Sequence, residues 1–239
     1  MRDYPNVDPT PFLGIADPIS SILHLGGALV FAVLGIGLLQ RARGNSLRVT
    51  AIAVYWGGVL FALTVSGVFH LVARGTDARN VLMIVDHAGI FILIAASYTP
   101  IHVIQFRGFM RWGILGLVWT AALVGMVLKS IWFATIPEWA GLSLYLALGW
   151  TGLISAIALY RLVGPTPLIP LIGGALAYTM GAVFEYARIP TLAAGIVGPH
   201  EIFHLLVLAG VGMHWEYIRR ITVHAPITDL YQIPQVSLS

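Results

Sequence analysis

Long apolar stretches constrain the fold of this sequence more than any other feature. Hydrophobic residues make up 58% of its 239 residues and charged residues only 10%, whereas soluble domains contain about 25% charged residues. A helix needs roughly 20 apolar residues to cross about 30 Å of hydrocarbon. Seven segments reach this length, near residues 19–40, 48–72, 81–104, 112–133, 139–160, 168–187 and 199–218. We therefore predict an all-α fold, a bundle of seven transmembrane helices.

These segments leave little chain for a separate soluble domain. We expect a polar N-terminal tail at residues 1–18, one transmembrane domain at residues 19–218 and a C-terminal tail at residues 219–239. The N-terminal tail lacks the layout of a cleaved signal peptide, so the first span is expected to direct insertion itself. We expect a multi-pass integral protein of the cell membrane. Nucleic acid is not expected as a partner, because the arginines lie singly at helix ends and form no basic stripe.

The histidines of the last segment are the clearest functional signal. His200 and His204 are four residues apart and share one helical face. Ionisable groups inside a membrane are costly and usually serve a function. The chain has no cysteine, so a metal must be held by imidazole and carboxylate groups.

Seven spans determine which loops share a side of the membrane. This parity places the end of the second span and the starts of the third and seventh at one face, where the chain carries His70, Asp86, His200 and His204. Ser66 lies one helical turn before His70, and His24 begins the first span on the same side. We expect these polar groups to converge.

Each of these residues also has a structural interpretation. The three histidines can hydrogen-bond within the bundle, and Asp86 can act as a helix N-cap or pair with Arg79. Ser66 can bond back to the carbonyl of residue 62.

The other polar residues have a weaker claim to the site. We expect His24 and His87 to act at most as outer partners of the ligands. His214 is expected to make a packing or separate polar contact, and Glu185 and Glu201 to face the site's side of the membrane.

Four short elements, in this order along the chain, resemble a known family. They are Asp17-Pro18 leading to His24, the Ser-x-x-x-His element from Ser66 to His70, Asp86-His87-Ala88-Gly89 followed by Ser97-Tyr98-Thr99-Pro100, and Ile189-Pro190 followed by His200-Glu201-Ile202-Phe203-His204. Together they resemble the bacterial hemolysin III proteins and the wider PAQR group, which includes the adiponectin and progestin receptors. The resemblance covers nearly all of the chain.

The resemblance implies a seven-helix protein with a Zn²⁺ ion held by His70, His200 and His204. It also implies a water in the fourth position, held by Asp86, with Ser66 supporting the site. Three imidazoles with one open position are typical of catalytic zinc, and Asp86 beside the water could act as a general base. The resemblance implies a membrane lipid as partner, with the amide bond of a ceramide-like lipid as the substrate. We do not carry the receptor function over.

Two other functions remain open. His200-Glu201-Ile202-Phe203-His204 also fits the H-E-x-x-H pattern of metalloproteases, with the glutamate as base. The downstream residues available as a further protease ligand are His214, Glu216, His224 and Asp229. Alternatively, zinc holds the helices of a non-enzymatic sensor or transporter together, in which case Asp86 is expected to bind the metal directly.

The orientation in the membrane follows from the positive charges. Five Lys and Arg residues fall on the side of the site and eight on the other side, so the positive-inside rule places the C-terminus in the cytoplasm and the site outside. The resemblance implies the opposite, a zinc site near the cytosolic face.

Overall fold

The chain forms a bundle of long helices. The structure, a computed structural model, describes residues 10–222. Within that range the regular structure is helical, with two isolated β-bridges and no strand. The helices are α1 (Pro18–Ala42), α2 (Ser46–Leu71), α3 (Asp77–Gln105), α4 (Gly108–Ile131), α5 (Glu138–Trp150), α6 (Gly152–Val163), α7 (Ile169–Ala187) and α8 (Pro199–Thr222), with a short 3₁₀ turn at Thr166–Leu168 before α7.

Six of the seven expected spans are confirmed. Among residues 10–222, six helical stretches are long and apolar enough to cross a membrane: α1 to α4, α5 with α6, and the 3₁₀ turn with α7. The seventh, α8, has 24 residues and is therefore about 36 Å long, but it is more polar than the others. It packs against α7 and α1, which gives this polar helix a place inside the bundle.

The fifth span departs from the predicted single helix. It divides at Thr151, between Gly149 and Gly152, into α5 and α6. Tyr98 of α3 lies at the division, where its hydroxyl donates to the carbonyl of Gly149 at 2.7 Å and lies 3.2 Å from that of Leu148. A side chain from a neighbouring helix thus partners backbone that the division leaves free, which is what allows a helix to break inside a membrane.

Small residues bring the central helices close together. A Cβ atom added at Gly58 of α2 would lie 2.4 Å from the Cβ of Ala96 in α3. One added at Gly67, nearer the site, would lie 2.6 Å from the Cγ of Leu25 in α1. Close approach through small residues is the usual way that helices associate in lipid. It sets α2 close to α3 at Gly58 and close to α1 at Gly67, the latter one turn before His70.

The start of α3 corrects one interpretation of Asp86. The helix begins at Asp77, four residues before the predicted segment, and Thr76 is its N-cap, accepting a hydrogen bond from the backbone N–H of Arg79. Asp86 therefore lies in the third turn and is not an N-cap. The Arg79 side chain pairs with Asp17.

Candidate metal centre

Three histidines meet where α2 and α8 come together. His70 is the last residue but one of α2, and His200 and His204 occupy the first two turns of α8. The Nε2 atom of His200 lies 3.3 Å from that of His70 and 2.8 Å from that of His204. The potential ligand atoms of all three lie within 4.8 Å of one another. The convergence that the parity of the spans predicts is therefore present.

The other ring nitrogen of each histidine has a partner of its own. His70 Nδ1 lies 2.8 Å from a carboxylate oxygen of Asp17, and His200 Nδ1 lies 3.3 Å from one of Glu185. An ionised carboxylate only accepts hydrogen bonds, so the His70 ring carries a proton on Nδ1 and directs Nε2 toward the other histidines. His204 Nδ1 lies 2.6 Å from His24 Nε2. Outer partners of this kind orient metal-binding histidines.

These distances suit a first-row metal ion. Nitrogens bound tetrahedrally to zinc at about 2.0–2.1 Å lie about 3.3 Å from one another. The 3.3 Å and 2.8 Å separations of the Nε2 atoms are close to that value. Lone pairs that face each other at such distances repel unless a proton or a cation lies between them. The residues present therefore fit a metal held by three imidazoles.

Asp17 anchors the site from the segment that precedes α1. It is 4% exposed; its carboxylate binds Arg74 and Arg79 in addition to His70, and its backbone N–H donates to the carbonyl of His70 at 3.0 Å. Burial would raise the pKa of Asp17, but the hydrogen bonds from His70, Arg79 and Arg74 outweigh burial and hold that pKa well below its usual range. An ionised Asp17 keeps the His70 ring in one orientation.

Asp86 and Ser66 lie next to the histidines. The Ser66 hydroxyl of α2 faces the Asp86 carboxyl of α3, and His200 is near enough to interact with that carboxyl electrostatically. Ser66 is 4% exposed, and Asp86 is half-buried. The residues that the sequence singles out on α2, α3 and α8 therefore share one end of the bundle.

Comparison with known proteins identifies the family of this chain. Residues 15–215 match the family described as haemolysin-III related. The chain belongs to this family. It is 28% identical to hemolysin-3 of Bacillus cereus over 197 residues, which cover 81% of this chain and 86% of that protein. It is also 30% identical to the heptahelical transmembrane protein ADIPOR2 of rice over 177 residues, 68% of this chain and 77% of the other. The resemblance to the hemolysin III and PAQR proteins is confirmed, and the chain is a multi-pass integral membrane protein.

In this haemolysin-III-related protein, the glutamate of the H-E-x-x-H pattern, Glu201, forms hydrogen bonds with residues outside the histidine cluster. Glu201 Oε1 accepts a hydrogen bond from Ser20 at 3.0 Å, and Oε2 accepts one from the backbone N–H of Gly198 at 2.9 Å. Glu201 thus caps the start of α8 and ties it to α1. Of the downstream protease ligands, His214 bonds to the carbonyl of Leu171, Glu216 pairs with two arginines at the far end of α8, and His224 and Asp229 lie outside the described residues. This arrangement disfavours a protease.

The remaining polar residues divide between the site and the rest of the bundle. His24 contacts His204, which is the position an outer partner of a ligand would take. His87 bonds to the carbonyl of Met83 in its own helix and packs on Phe133 instead. Sequence reasoning assigned no role to Asp17, although it opens the first apolar segment beside a proline. It also did not pair Glu185 with a particular histidine.

Proposed function

We propose that this protein is a zinc-dependent hydrolase that cleaves the amide bond of a ceramide-like membrane lipid. One observation carries the proposal: three histidine Nε2 atoms converge beside an acidic residue, Asp86, that lies within the bundle. Two histidine ligands alone would be compatible with many roles. Three imidazoles with an adjacent carboxylate are one arrangement that suits a hydrolytic zinc site.

Each residue has a definite task in this proposal. His70, His200 and His204 would hold Zn²⁺, which supplies an acidified water and polarises the amide carbonyl. A carboxylate oxygen of Asp86 would accept the proton of that water and return it to the departing amine nitrogen. Ser66 would orient the Asp86 carboxyl. Asp17 and Glu185 would keep two of the ligand rings in place.

The position of the site in the bundle suits a lipid substrate. His70 is one residue from the end of α2 and His200 one residue from the start of α8, so the histidines lie within about two turns of helix ends. The amide group of a bilayer lipid lies at that depth, at the border of the hydrocarbon. A substrate held in the bilayer would therefore reach Asp86 without leaving the membrane.

A second candidate function is a metal that fastens α2 to α8 without catalysis. One observation favours it: neither the three clustered histidines nor Asp86 or Ser66 line the cavity of about 300 Å³ among α3, α5, α6, α7 and α8 in the described part of the bundle. His70 and His204 are each only 2% exposed. A closed site of this kind is typical of a structural metal.

One experiment separates the two candidates. Zinc content would be measured by elemental analysis of protein purified in detergent without chelator, and hydrolysis with a fluorescent short-chain ceramide. His70→Ala is expected to lose zinc and activity. Asp86→Asn is expected to keep zinc and to lose activity by about 100-fold or more, the usual contribution of a general base.

The matched control is His87→Gln, which changes a histidine next to Asp86 in sequence but bonded to Met83. It is expected to keep both zinc and activity. Zinc in the unsubstituted protein without ceramide hydrolysis, together with a lower melting temperature for His70→Ala, would favour the structural role. Protein without zinc would refute both.

A further inference from the structure

Two segments at the end of the bundle that carries the metal centre expose apolar side chains. One is the stretch before α1, residues 10–16, and the other is the loop between α7 and α8, residues 189–197; together they form what we call the apolar rim. A backbone hydrogen bond of 2.8 Å from Thr10 to Gly195 joins the two segments, and Asp17, which anchors the metal centre, directly follows the first. The large exposed side chains of the rim are those of Phe12, Leu13, Ile189, Leu192 and Ile196.

The apolar rim has no ionisable side chain of its own. Residues 10–16 read Thr-Pro-Phe-Leu-Gly-Ile-Ala, and residues 189–197 read Ile-Pro-Thr-Leu-Ala-Ala-Gly-Ile-Val. The charged residues at its borders are paired: Asp17 is buried against two arginines, and Arg188 pairs with two glutamates. The loop between α2 and α3 at the same end of the bundle has the polar composition usual for a loop in water, Arg-Gly-Thr-Asp at residues 74–77. The rim therefore lacks the charges that would favour contact with water.

Much of the backbone of the apolar rim is hydrogen-bonded within the rim. The N–H of Phe12 donates to the carbonyl of Ile15 at 3.1 Å, and the N–H of Ile15 donates to the carbonyl of Phe12 at 3.0 Å. In the other segment, the N–H groups of Leu192 and Ala193 donate to the carbonyl of Val197 at 2.9 and 3.1 Å, and the N–H of Val197 donates to that of Ala193 at 2.8 Å. Backbone groups that enter lipid need internal partners, because no water is present to replace them. The rim provides such partners.

Leu13 lies at the tip of the turn between Phe12 and Ile15. Its side chain is 85% exposed, and its backbone φ of 51° lies in the left-handed region. That region disfavours residues with a Cβ atom, so turn positions of this kind are usually taken by Gly, Asn or Asp. The turn therefore bears a conformational cost in order to present a large apolar side chain at its tip. Transfer of that side chain from water to hydrocarbon is favourable, which offsets the cost.

The apolar rim is continuous with the lipid-facing surface of two spans. Ile22 in the second turn of α1 and Tyr186 in the last turn of α7 are both exposed. Tyrosine is enriched where spans meet the border between hydrocarbon and water. A groove of about 320 Å³ lies between the two segments and the start of α1, and all of its lining residues except Thr10 are apolar. The rim therefore begins where lipid already covers the protein, which favours lipid as its partner.

We propose that the apolar rim inserts into the membrane leaflet on the side of the metal centre and packs there against the acyl chains of lipids. Because the rim is uncharged, neutral phospholipid suffices as its partner. The apolar faces of interfacial segments reach about 5–10 Å into the boundary between headgroups and acyl chains, and we expect the side chains of Leu13 and Leu192 at that depth. The proposal depends neither on bound zinc nor on hydrolysis.

The test measures what surrounds the rim by electron paramagnetic resonance. Because the chain has no cysteine, Leu13→Cys and Leu192→Cys each place a single nitroxide label on the complete protein, which would be reconstituted into phosphatidylcholine vesicles. Collision rates of the label would be measured with oxygen, which concentrates in hydrocarbon, and with a neutral nickel chelate, which stays in water. We expect the ratio of oxygen to nickel collisions at both positions to be about tenfold higher than at a position in water, because a polar complex is excluded from hydrocarbon.

Two reference variants calibrate the ratio. Ala78→Cys places the label on an exposed residue in the first turn of α3, directly after the polar loop at the same end of the bundle, and represents water. Ile154→Cys places it on an exposed residue of α6, within the fifth span, and represents lipid. Both rim positions should resemble Ile154→Cys more than Ala78→Cys. If one rim variant does not reconstitute, the other, on a separate segment, decides the outcome.

Two results would overturn the proposal. A ratio equal to that of Ala78→Cys at either rim position would show that the rim lies in water. Few collisions with either reagent, together with dipolar broadening of the spectrum, would show that a second copy of the chain covers the rim instead of lipid. The measurement needs neither zinc nor ceramide, so failure of the proposed metal function would leave this result intact.

Discussion

Replacing Asp17 with asparagine tests whether the metal ligands depend on a partner outside the helices. Asparagine has the same size and keeps one carbonyl oxygen, but it loses the charge that holds His70, Arg74 and Arg79. The His70 ring would then lose its carboxylate partner and could turn or exchange its proton between the two nitrogens. Loss of such a partner typically weakens metal binding by about 10- to 100-fold, or about 1.4–2.7 kcal/mol.

The same substitution is expected to destabilise the fold even without metal. The Arg79 side chain is 13% exposed and the Arg74 side chain 38%. The ion pair of Asp17 with the exposed Arg74 therefore contributes about 1 kcal/mol or less, and breaking the pair with the buried Arg79 accounts for most of the lost stability. Removing one partner of a buried ion pair costs about 3–5 kcal/mol. Because Arg79 still donates to the carbonyls of Phe69 and Val72, we expect the lower end of that range.

The assay is a titration of zinc against a competing chelator in detergent, combined with thermal unfolding with and without zinc. Glu216→Gln is the matched control, since it also exchanges a carboxylate for an amide and breaks two arginine pairs, but at the far end of α8. It is expected to leave zinc affinity unchanged. Equal zinc affinity in Asp17→Asn and the unsubstituted protein, or equal weakening by Glu216→Gln, would refute the assigned role of Asp17.

Three further predictions concern the site, the packing and the orientation. Glu185→Gln should weaken zinc binding by about tenfold or less, in the same chelator titration, because its contact with His200 is longer, at 3.3 Å, than that of Asp17. Gly58→Ala should lower stability by about 1–3 kcal/mol through its clash with Ala96, and adding Ala96→Gly should restore the melting temperature; no recovery would contradict the close packing. Three spans, α2 to α4, separate Ser46 from Thr135, so the two positions lie on opposite sides of the membrane. In this cysteine-free chain, only one of the variants Thr135→Cys and Ser46→Cys should be labelled by an impermeant thiol reagent on intact cells, and the positive-inside rule predicts that it is Thr135→Cys. Labelling of both variants would contradict the number of spans between them.

The membrane class and the helical fold were predictable from the sequence. A chain with so few charges can bury its backbone polar groups in lipid only as helices or a closed barrel, and segments of about 20 apolar residues favour helices. The fifth span shows the limit of this reasoning. Its division at Thr151 is contacted by the hydroxyl of Tyr98, some 50 residues earlier in the chain, and no local pattern indicates that contact.

The candidate ligands could also be predicted from the sequence, for two reasons. His200 and His204 share a helical face by their spacing, and the parity of the spans brings His70 and Asp86 to the same end of the bundle. Neither argument needs a distance between helices. Both follow from the pitch of a helix and the thickness of a bilayer.

Only the tertiary structure decided how each histidine is held and which residues take part. Asp17 contacts His70 across 53 positions of the sequence, and His24 contacts His204 across 180. Glu201, although it belongs to a recognisable motif, caps α8 because Ser20 and the backbone N–H of Gly198 lie within reach. Contacts of this kind depend on the separation and rotation of packed helices. Small residues such as Gly58 and Gly67 set these quantities by letting neighbouring backbones approach, and no local pattern in the sequence records the result.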